Sequence, residues 1–113
     1  MIFLIGEPRV DYNSNSNNAF TIKDGDILNL ETSFIAFPQP HITWFYWSNR
    51  SRTNTTLTTN NNMNIVDSSD EAFHNSMLSI QRVDASHTGH FIVLAENYMG
   101  QDIRIYTVNV IGM

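Results

Sequence analysis

Residues 76–100 constrain the fold of this chain more than any other part of its sequence. Two runs in this stretch alternate apolar with polar residues, Leu78/Ile80 and Phe91/Val93/Ala95. A polar corner that contains Gly89 separates the two runs, and alternation resumes after Gly100. Period-two alternation on both sides of a glycine-containing turn is typical of half-buried antiparallel strands. The stretch therefore predicts two strands, the second of which enters a hairpin at Gly100.

The same alternation recurs along the chain and predicts an all-β, two-sheet antiparallel sandwich of seven or eight short strands. One buried face is expected from Leu28, Leu30, Thr32 and Phe34, and the next from Ile42, Trp44 and Tyr46. Further strands are predicted at residues 2–5, 19–22, 63–66 and 102–110, the last with Arg104, Tyr106, Val108 and Val110 on one side. Pro8 is expected to end the pairing of the first strand, since proline has no N–H to donate. The polar segment 48–64 is expected to connect two strands, with room for one weak edge strand.

Length and composition predict one domain. The 113 residues, 42 % of them hydrophobic, suffice for a single modest core. We assign residues 1–113 to one domain with its core at about residues 20–110.

The spacing in residues 76–100 resembles the intermediate-set (I-set) immunoglobulin domain. That family shows L-x-I-x-x-V-x-x-x-D-x-G-x-Y-x-C-x-A-x-N-x-x-G. The matching positions here are Leu78, Ile80, Val83, His87, Gly89, Phe91, Val93, Ala95, Asn97 and Gly100. Three of them depart from the family, because His87 replaces aspartate, Phe91 replaces tyrosine and Val93 replaces the second cysteine. Thr32 stands at the first cysteine position, and the chain contains no cysteine.

The resemblance implies an immunoglobulin-like sandwich that lacks its inter-sheet disulfide. Its structural core is expected to contain Leu30, Thr32, Trp44, Leu78, Phe91 and Val93. Thr32 and Val93 are expected to face each other near Trp44, with the Thr32 hydroxyl bonded to a local backbone carbonyl. In this family a tyrosine at the position of Phe91 donates a hydrogen bond from its hydroxyl to the loop that precedes its strand, called the E–F loop. Because Phe91 has no hydroxyl, this bond is expected to be absent.

Charge and motifs exclude several classes of function. The net charge is −5 and the six basic residues form no stripe, so we expect no nucleic-acid partner. No apolar run is long enough to insert into a membrane. The four histidines are interpreted as turn and surface residues, and Asp67, Asp70 and Glu71 as a solvated loop. We therefore expect no catalytic residues, no metal and no cofactor, although the chain is compatible with the extracellular part of a receptor kinase.

A protein-binding face is predicted from the residues that alternate with the core. If the core residues point inward, six large apolar neighbours point outward: Phe45, Trp47, Ile92, Leu94, Ile103 and Ile105. The strands that carry these six residues are called C, F and G in this fold. They lie side by side in its usual strand order, so the six residues share one sheet face. A contiguous exposed apolar patch of this kind is typical of an interaction site, although polar neighbours can also break it up.

Arg82 is a second candidate for the binding set. The string Ile80-x-Arg82-Val83-x-x-x-His87-x-Gly89 is similar to a motif in membrane-proximal immunoglobulin domains of type III and type V receptor tyrosine kinases. There the arginine and an acidic residue make homotypic contacts across a receptor pair. Here His87 occupies the acidic position, so only half of the motif is present, and an ordinary exposed strand-end arginine is the alternative.

Two N-glycosylation sequons, at Asn49 and Asn54, favour an extracellular location. The function that fits best is protein–protein recognition or adhesion within a larger cell-surface or secreted protein. Its partner is a protein, and a second copy of the chain is one candidate. The alternative is a structural module of an intracellular muscle-type scaffold, where related domains also lack disulfides.

Overall fold

The chain forms a two-layer β-sandwich, shown by a computed structural model that describes residues 6–11 and 17–112. The described strands are β1 (Gly6–Val10), β2 (Ala19–Lys23), β3 (Leu28–Phe37), β4 (His41–Ser48), β5 (Thr53–Thr56), β6 (Met63–Asp70), β7 (Phe73–Ile80), β8 (Gly89–Asn97) and β9 (Gly100–Ile111). A single turn of 3-10 helix, Ala85–His87, precedes β8. The strand predicted at residues 2–5 lies outside the described residues.

The strands form two sheets, ordered β1-β3-β7-β6 and β2-β9-β8-β4-β5. The all-β immunoglobulin-like sandwich is thereby confirmed, including the adjacent C, F and G strands, which are β4, β8 and β9. One pair departs from the antiparallel prediction, because β2 runs parallel to β9. β5 is the weak edge strand for which segment 48–64 left room, and it pairs with β4.

Alternate residues of the strands fill the core between the sheets. The pattern is clearest in β3, where Leu28, Leu30, Thr32 and Phe34 are all buried. All six residues assigned to the structural core are at most 1 % exposed: Leu30, Thr32, Trp44, Leu78, Phe91 and Val93. The strands that carry Thr32 and Val93 contact each other across the core. That the two side chains face each other directly stays a prediction.

The expectation that Pro8 ends the first pairing is wrong. Strand β1 runs through Pro8, which is buried, and pairs with β3 on either side of it. The register of this pair shifts between Gly6 and Arg9. Because Pro8 lies inside this irregularity of an edge strand, its missing N–H removes no ladder hydrogen bond.

The interpretation of Asp67 and Asp70 as loop residues is also wrong. Both belong to β6, which continues to Asp70 opposite Phe73, whereas Glu71 lies in the turn with φ 56°. An edge strand tolerates such polar residues, since only one of its sides is paired and its side chains reach water. Asp67 also has a structural partner, because its carboxylate accepts a 2.5 Å hydrogen bond from the Ser76 hydroxyl.

Hydroxyl groups occupy the region where the family places its disulfide. Thr32 was expected to bond a backbone carbonyl, but its hydroxyl pairs with the Tyr106 hydroxyl instead. The Tyr106 hydroxyl donates in turn to the Glu31 carbonyl at 2.6 Å. Trp44 packs on Tyr106 with ring centroids 6.1 Å apart, and its Nε1 donates to the Ser76 hydroxyl at 2.8 Å. Each buried polar group named here therefore has a partner.

The corner hydroxyl bond expected to be lost with Phe91 is present in another form. The Tyr46 hydroxyl lies 2.8 Å from the Ser86 carbonyl oxygen and 2.5 Å from that of Thr88, and donates to this pair. The Tyr46 ring packs on Phe91 with centroids 5.1 Å apart. Tyr46 and Phe91 are direct neighbours on β4 and β8, so the hydroxyl has moved to the adjacent strand.

Candidate protein-binding face

The solvent-facing side of the five-stranded sheet β2-β9-β8-β4-β5 is the candidate site, and we call it the outer face. Side chains alternate along each strand, so those that neighbour buried core positions point outward. On β8, Phe91 and Val93 are buried, which places Ile92 and Leu94 on the outer face. On β9, Tyr106 is buried and Ile105 is exposed. The same alternation on β4 turns Phe45 and Trp47 outward on either side of Tyr46.

The sheet register brings the six predicted residues together in adjacent cross-strand rows. Ile92 pairs with Phe45 on one side and with Ile105 on the other. In the next row Leu94 pairs with Ile103, and Thr43 completes the row on β4. Directly opposed side chains on one sheet face contact each other, so these residues form a continuous apolar band across three strands.

The band is only partly covered by its own packing. Ile103 and Ile105 are 42 % and 43 % exposed, and the other four residues are partly buried: Phe45, Trp47, Ile92 and Leu94. The most accessible part of the band thus lies on β9, and its aromatic part lies on β4. An apolar surface of this kind is available to a partner that brings its own apolar side chains.

Trp47 belongs to a polar border at one end of the band. Its Nε1 donates to the Asn49 amide oxygen at 3.0 Å, and the Asn49 amide nitrogen lies 3.4 Å from the His90 Nε2. The His90 Nδ1 lies 3.1 Å from the Thr107 hydroxyl, which extends the row to β9.

The interpretation of the four histidines as turn and surface residues is wrong for His74, which is 2 % exposed on β7. It also assigned no strand to His90, which belongs to β8. Counting back two residues from Ile92 would have placed it on the outer face.

The outer face carries very little charge. Among the outward positions of its five strands only Glu96 and Lys23 are charged, and they lie near opposite ends of the sheet. Glu96 pairs with Gln101 near the β8–β9 turn, whereas Lys23 pairs with Ile111 at the other end of β9. Most of the charge behind the net value of −5 therefore lies on other surfaces.

The structure does not bring Arg82 to the outer face. Arg82 is exposed and follows β7, which belongs to the other sheet. Its backbone N–H donates to the Asn62 side-chain oxygen, and its carbonyl accepts from the Asn62 amide nitrogen, both at 3.0 Å. Arg82 is thus an exposed residue at a strand end, fixed through its backbone.

His87 has a local structural task. Its Nδ1 accepts a 2.9 Å hydrogen bond from the Asp84 backbone N–H, and it lies 3.4 Å from the Asp84 carboxylate. Hydrogen bonds from the Ser86 hydroxyl and backbone N–H lower the pKa of Asp84. These contacts close the 3-10 turn and hold the carbonyls that receive the Tyr46 hydroxyl.

Both sequon asparagines lie at the Trp47 end of the outer face. Asn49 is exposed in the turn after β4, and Asn54 is exposed on β5 directly opposite Trp47.

Elsewhere, no group of three or more His, Asp or Glu within the described ranges is arranged to hold a metal ion. In the same ranges no helix has the length and apolar character needed to cross a membrane.

These features define an immunoglobulin-like sandwich with one apolar, nearly uncharged sheet face. The sequence matches the Immunoglobulin I-set domain over residues 13–110, and the chain therefore belongs to the I-set family, a non-catalytic fold. A sequence comparison with curated proteins finds no match.

Several solved structures share this fold. Titin Ig tandem domains A164-A165 superpose with a TM-score of 0.76 at 22 % identity, covering 96 % of this chain and 51 % of that one. Titin M4 gives 0.75 at 14 % identity, with 96 % and 100 % covered. Dpr2 Ig1-Ig2 in complex with DIP-Theta Ig1-Ig3 gives 0.79 at 17 % identity, with 93 % and 32 % covered. The chain thus spans about half the length of the titin tandem. At these identities the likeness shows the fold alone.

Proposed function

We propose that this domain is a protein-recognition module whose outer face docks a second copy of the same chain. The observation that carries the proposal is the continuous band of Phe45, Ile92 and Ile105 with its neighbouring row of Leu94 and Ile103. An apolar band that crosses three strands fits the buried centre of an interface, where charged residues are depleted. Trp47, Asn49 and His90 supply a polar rim beside it.

Charge favours a second copy as the partner. Two copies with a net charge of −5 each repel one another at most of their surfaces. The outer face is the exception, since it carries only Glu96 and Lys23, near opposite ends. An antiparallel two-fold arrangement brings the acidic end of one copy towards the basic end of the other. A self-complementary patch of this kind is what a two-fold interface needs.

The energy available from the band predicts a weak dimer. Burial of about 400 Å² of apolar surface contributes on the order of 10 kcal/mol at about 25 cal/mol per Å². Association costs about 4–15 kcal/mol in lost translational and rotational freedom, with further costs for ordering side chains. The two quantities are of similar size, so we expect reversible self-association at high protein concentration.

The comparisons support a binding role in general terms. Structures of similar fold include Dpr2 with DIP-Theta, titin M10 with obscurin-like 1, and titin Z1Z2 with telethonin, each a complex of immunoglobulin domains with a protein. The two sequons, and not these complexes, support our proposal that the domain is one module of a larger extracellular protein. Cell adhesion and receptor assembly are the functions that such a module serves.

A structural module of an intracellular scaffold is the second candidate. It is favoured by the titin domains among the similar structures and by the absence of cysteine. In that case the outer face contacts a neighbouring domain or a filament partner. Locating the full-length protein with an antibody to this domain separates the candidates, since a cell-surface signal on intact cells supports the extracellular proposal and a purely intracellular signal refutes it.

Sedimentation of the unglycosylated domain tests the dimer. The variant is Ile103→Thr with Ile105→Thr, because both side chains are exposed and their replacement leaves the core intact. We expect the parent chain to shift from monomer to dimer as its concentration rises and the variant to remain a monomer. The matched control is Val66→Thr, which changes a 50 % exposed valine on the other sheet. A parent that stays monomeric, or a control that behaves like the double variant, contradicts the proposal.

A further inference from the structure

Both sequons of this chain border the same tryptophan. They read Asn49-Arg50-Ser51 and Asn54-Thr55-Thr56, and Asn75-Ser76-Met77 on the other sheet does not satisfy the pattern. In the fold the first sequon occupies the turn after β4, and the second lies on the edge strand β5. Trp47, on β4, neighbours both asparagines. The sequence places the two sequons close together. The sheet register places Asn54 beside the outer face, and the hydrogen bond from Trp47 holds Asn49 there.

The Asn49 amide is held against the Trp47 side chain. Its oxygen accepts the 3.0 Å hydrogen bond from the indole Nε1, and its nitrogen points to the His90 ring at 3.4 Å. A sugar attached to that nitrogen begins beside the indole. N-glycosylation leaves the amide oxygen free, so the hydrogen bond from Trp47 persists. An aromatic ring with a polar edge is a suitable platform for the apolar face of a sugar ring.

Asn54 approaches the same ring from the edge strand. It is the register partner of Trp47, and Thr56 is the register partner of Phe45. Residues opposed in this way share a sheet face, so the asparagine and the threonine of this sequon both point outward along the border of the apolar band. All four residues of β5 are exposed, which leaves the site accessible to a transferase.

We propose that Asn49 and Asn54 are N-glycosylation sites whose glycans cover the Trp47 end of the outer face and confine docking to the Ile103 and Ile105 end. The docking part of this inference rests on the function proposed above, whereas the modification part does not. The Asn49 glycan packs its first sugar on the Trp47 indole. The glycans thus form a steric barrier along β5 that permits only one orientation of the partner.

The modification is an ordinary glycosyl transfer. The amide nitrogen of asparagine forms a bond to C1 of an oligosaccharide carried on a lipid diphosphate. The bond between C1 and the diphosphate oxygen breaks, and the lipid diphosphate leaves with the bonding electrons. The amide nitrogen gives up one proton to a base of the transferase. No electron acceptor or donor is needed.

Glycan occupancy is measured on the domain secreted from a glycosylating cell with a secretion signal. We expect peptide mass analysis to find sugar on both asparagines in the parent. Ser51→Ala should remove only the first and Thr56→Val only the second, since each keeps its asparagine. Unmodified Asn49 and Asn54 peptides in the secreted parent overturn the proposal.

The position of the glycan is tested by fluorescence at a concentration where the chain is monomeric. The chain has two tryptophans, and Trp44 is 1 % exposed, so a dissolved quencher reports mainly on Trp47. We expect the secreted parent to lose most of the quenching seen in the unglycosylated chain, and the Ser51→Ala, Thr56→Val double variant, which carries neither glycan, to regain it. Thr56→Val alone keeps the Asn49 glycan and should remain protected. Equal quenching in the glycosylated and unglycosylated forms overturns the packing of sugar on Trp47.

A glycan elsewhere provides the matched control. Met77→Thr completes a sequon at Asn75, which lies on the other sheet. In the Ser51→Ala, Thr56→Val background this single distant glycan should leave both Trp47 quenching and self-association unchanged. If self-association fails even in the unglycosylated chain, the proposed function is wrong and the occupancy result still stands. If the unglycosylated chain associates and the Asn75 glycan alone abolishes this self-association, the proposed steric barrier along β5 is refuted.

Discussion

At the scale of single residues, hydroxyl groups replace the covalent link that the family uses. Thr32 and Tyr106 pair their hydroxyls in the buried core, and Tyr106 donates onward to the Glu31 carbonyl. A threonine in an apolar core costs about 1–3 kcal/mol when its hydroxyl has no partner. The partner here comes from β9, whereas the sequence predicts only an acceptor in the local backbone.

A double-mutant cycle tests this pair. Thr32→Val removes one hydroxyl but leaves Tyr106 bonded to Glu31, so we expect a loss of about 1 kcal/mol in the free energy of unfolding. Tyr106→Phe leaves the Thr32 hydroxyl unpaired and should cost about 2–3 kcal/mol. The double variant should cost less than the sum of the two, because both hydroxyls are then gone. Denaturant melts give all four values, and additive losses would argue against the pair.

At the scale of elements, Tyr46 ties β4 to the corner that leads into β8. Its hydroxyl reaches the carbonyls of Ser86 and Thr88, on either side of the end of the 3-10 helix. Gly89 then begins β8 with φ 154°, a conformation that favours glycine. A Cβ there would lie 2.7 Å from the Trp47 carbonyl oxygen and 2.8 Å from the Tyr46 hydroxyl. The missing side chain thus allows the two strands to approach closely at this corner.

Swapping the aromatic pair tests which strand supplies the corner bond. Tyr46→Phe removes the hydroxyl and should lower the free energy of unfolding by about 1–2 kcal/mol. Phe91→Tyr alone should give no gain, since the two carbonyls already accept from Tyr46 and the new hydroxyl enters a fully buried site. Thermal melts of both variants decide the matter. A stabilising Phe91→Tyr would show that the corner still offers a free acceptor.

At the scale of the whole molecule, tyrosine burial makes stability depend on pH at the basic end. Burial raises the pKa of both Tyr46 and Tyr106 above the usual value of 10.0. Above that value the unfolded chain releases these protons while the folded chain keeps them. The unfolded state then binds fewer protons, so the free energy of unfolding falls as pH rises. Below the usual tyrosine pKa both states are protonated, and the contribution is fully present.

Denaturant melts across the basic range test this dependence. We expect the free energy of unfolding to fall as pH rises above 10.0. The variant with both Tyr46→Phe and Tyr106→Phe is the control and should show a smaller fall over the same interval. Ultraviolet absorbance of the folded parent should show the matching delay in phenol ionisation. A parent and a control with the same pH dependence would rule out these two side chains as its source.

Alternation in the sequence was enough to predict the fold class and the inward and outward sides of the core strands β3, β4, β8 and β9. Alternation has a period of two, so the buried residues of β3, β8 and β9 also fix their outward neighbours. The adjacency of β4, β8 and β9 followed from the family resemblance, which the I-set match over residues 13–110 bears out. The position of Ile92 between Phe45 and Ile105 is a consequence of these two facts.

The pairing of side chains that are distant in sequence could not be predicted from the sequence. Thr32 and Tyr106 are far apart in sequence, and neither their spacing nor their chemistry singles out their pairing. The bond from the Tyr46 hydroxyl to the Ser86 and Thr88 carbonyls is equally unpredictable from the sequence, since these residues are also far apart along the chain. Alternation with a period of two shows on which face a residue lies, but it does not show which residue of a distant strand lies opposite. Contacts such as these depend on how two sheets pack, which is set by the summed shape of the whole core.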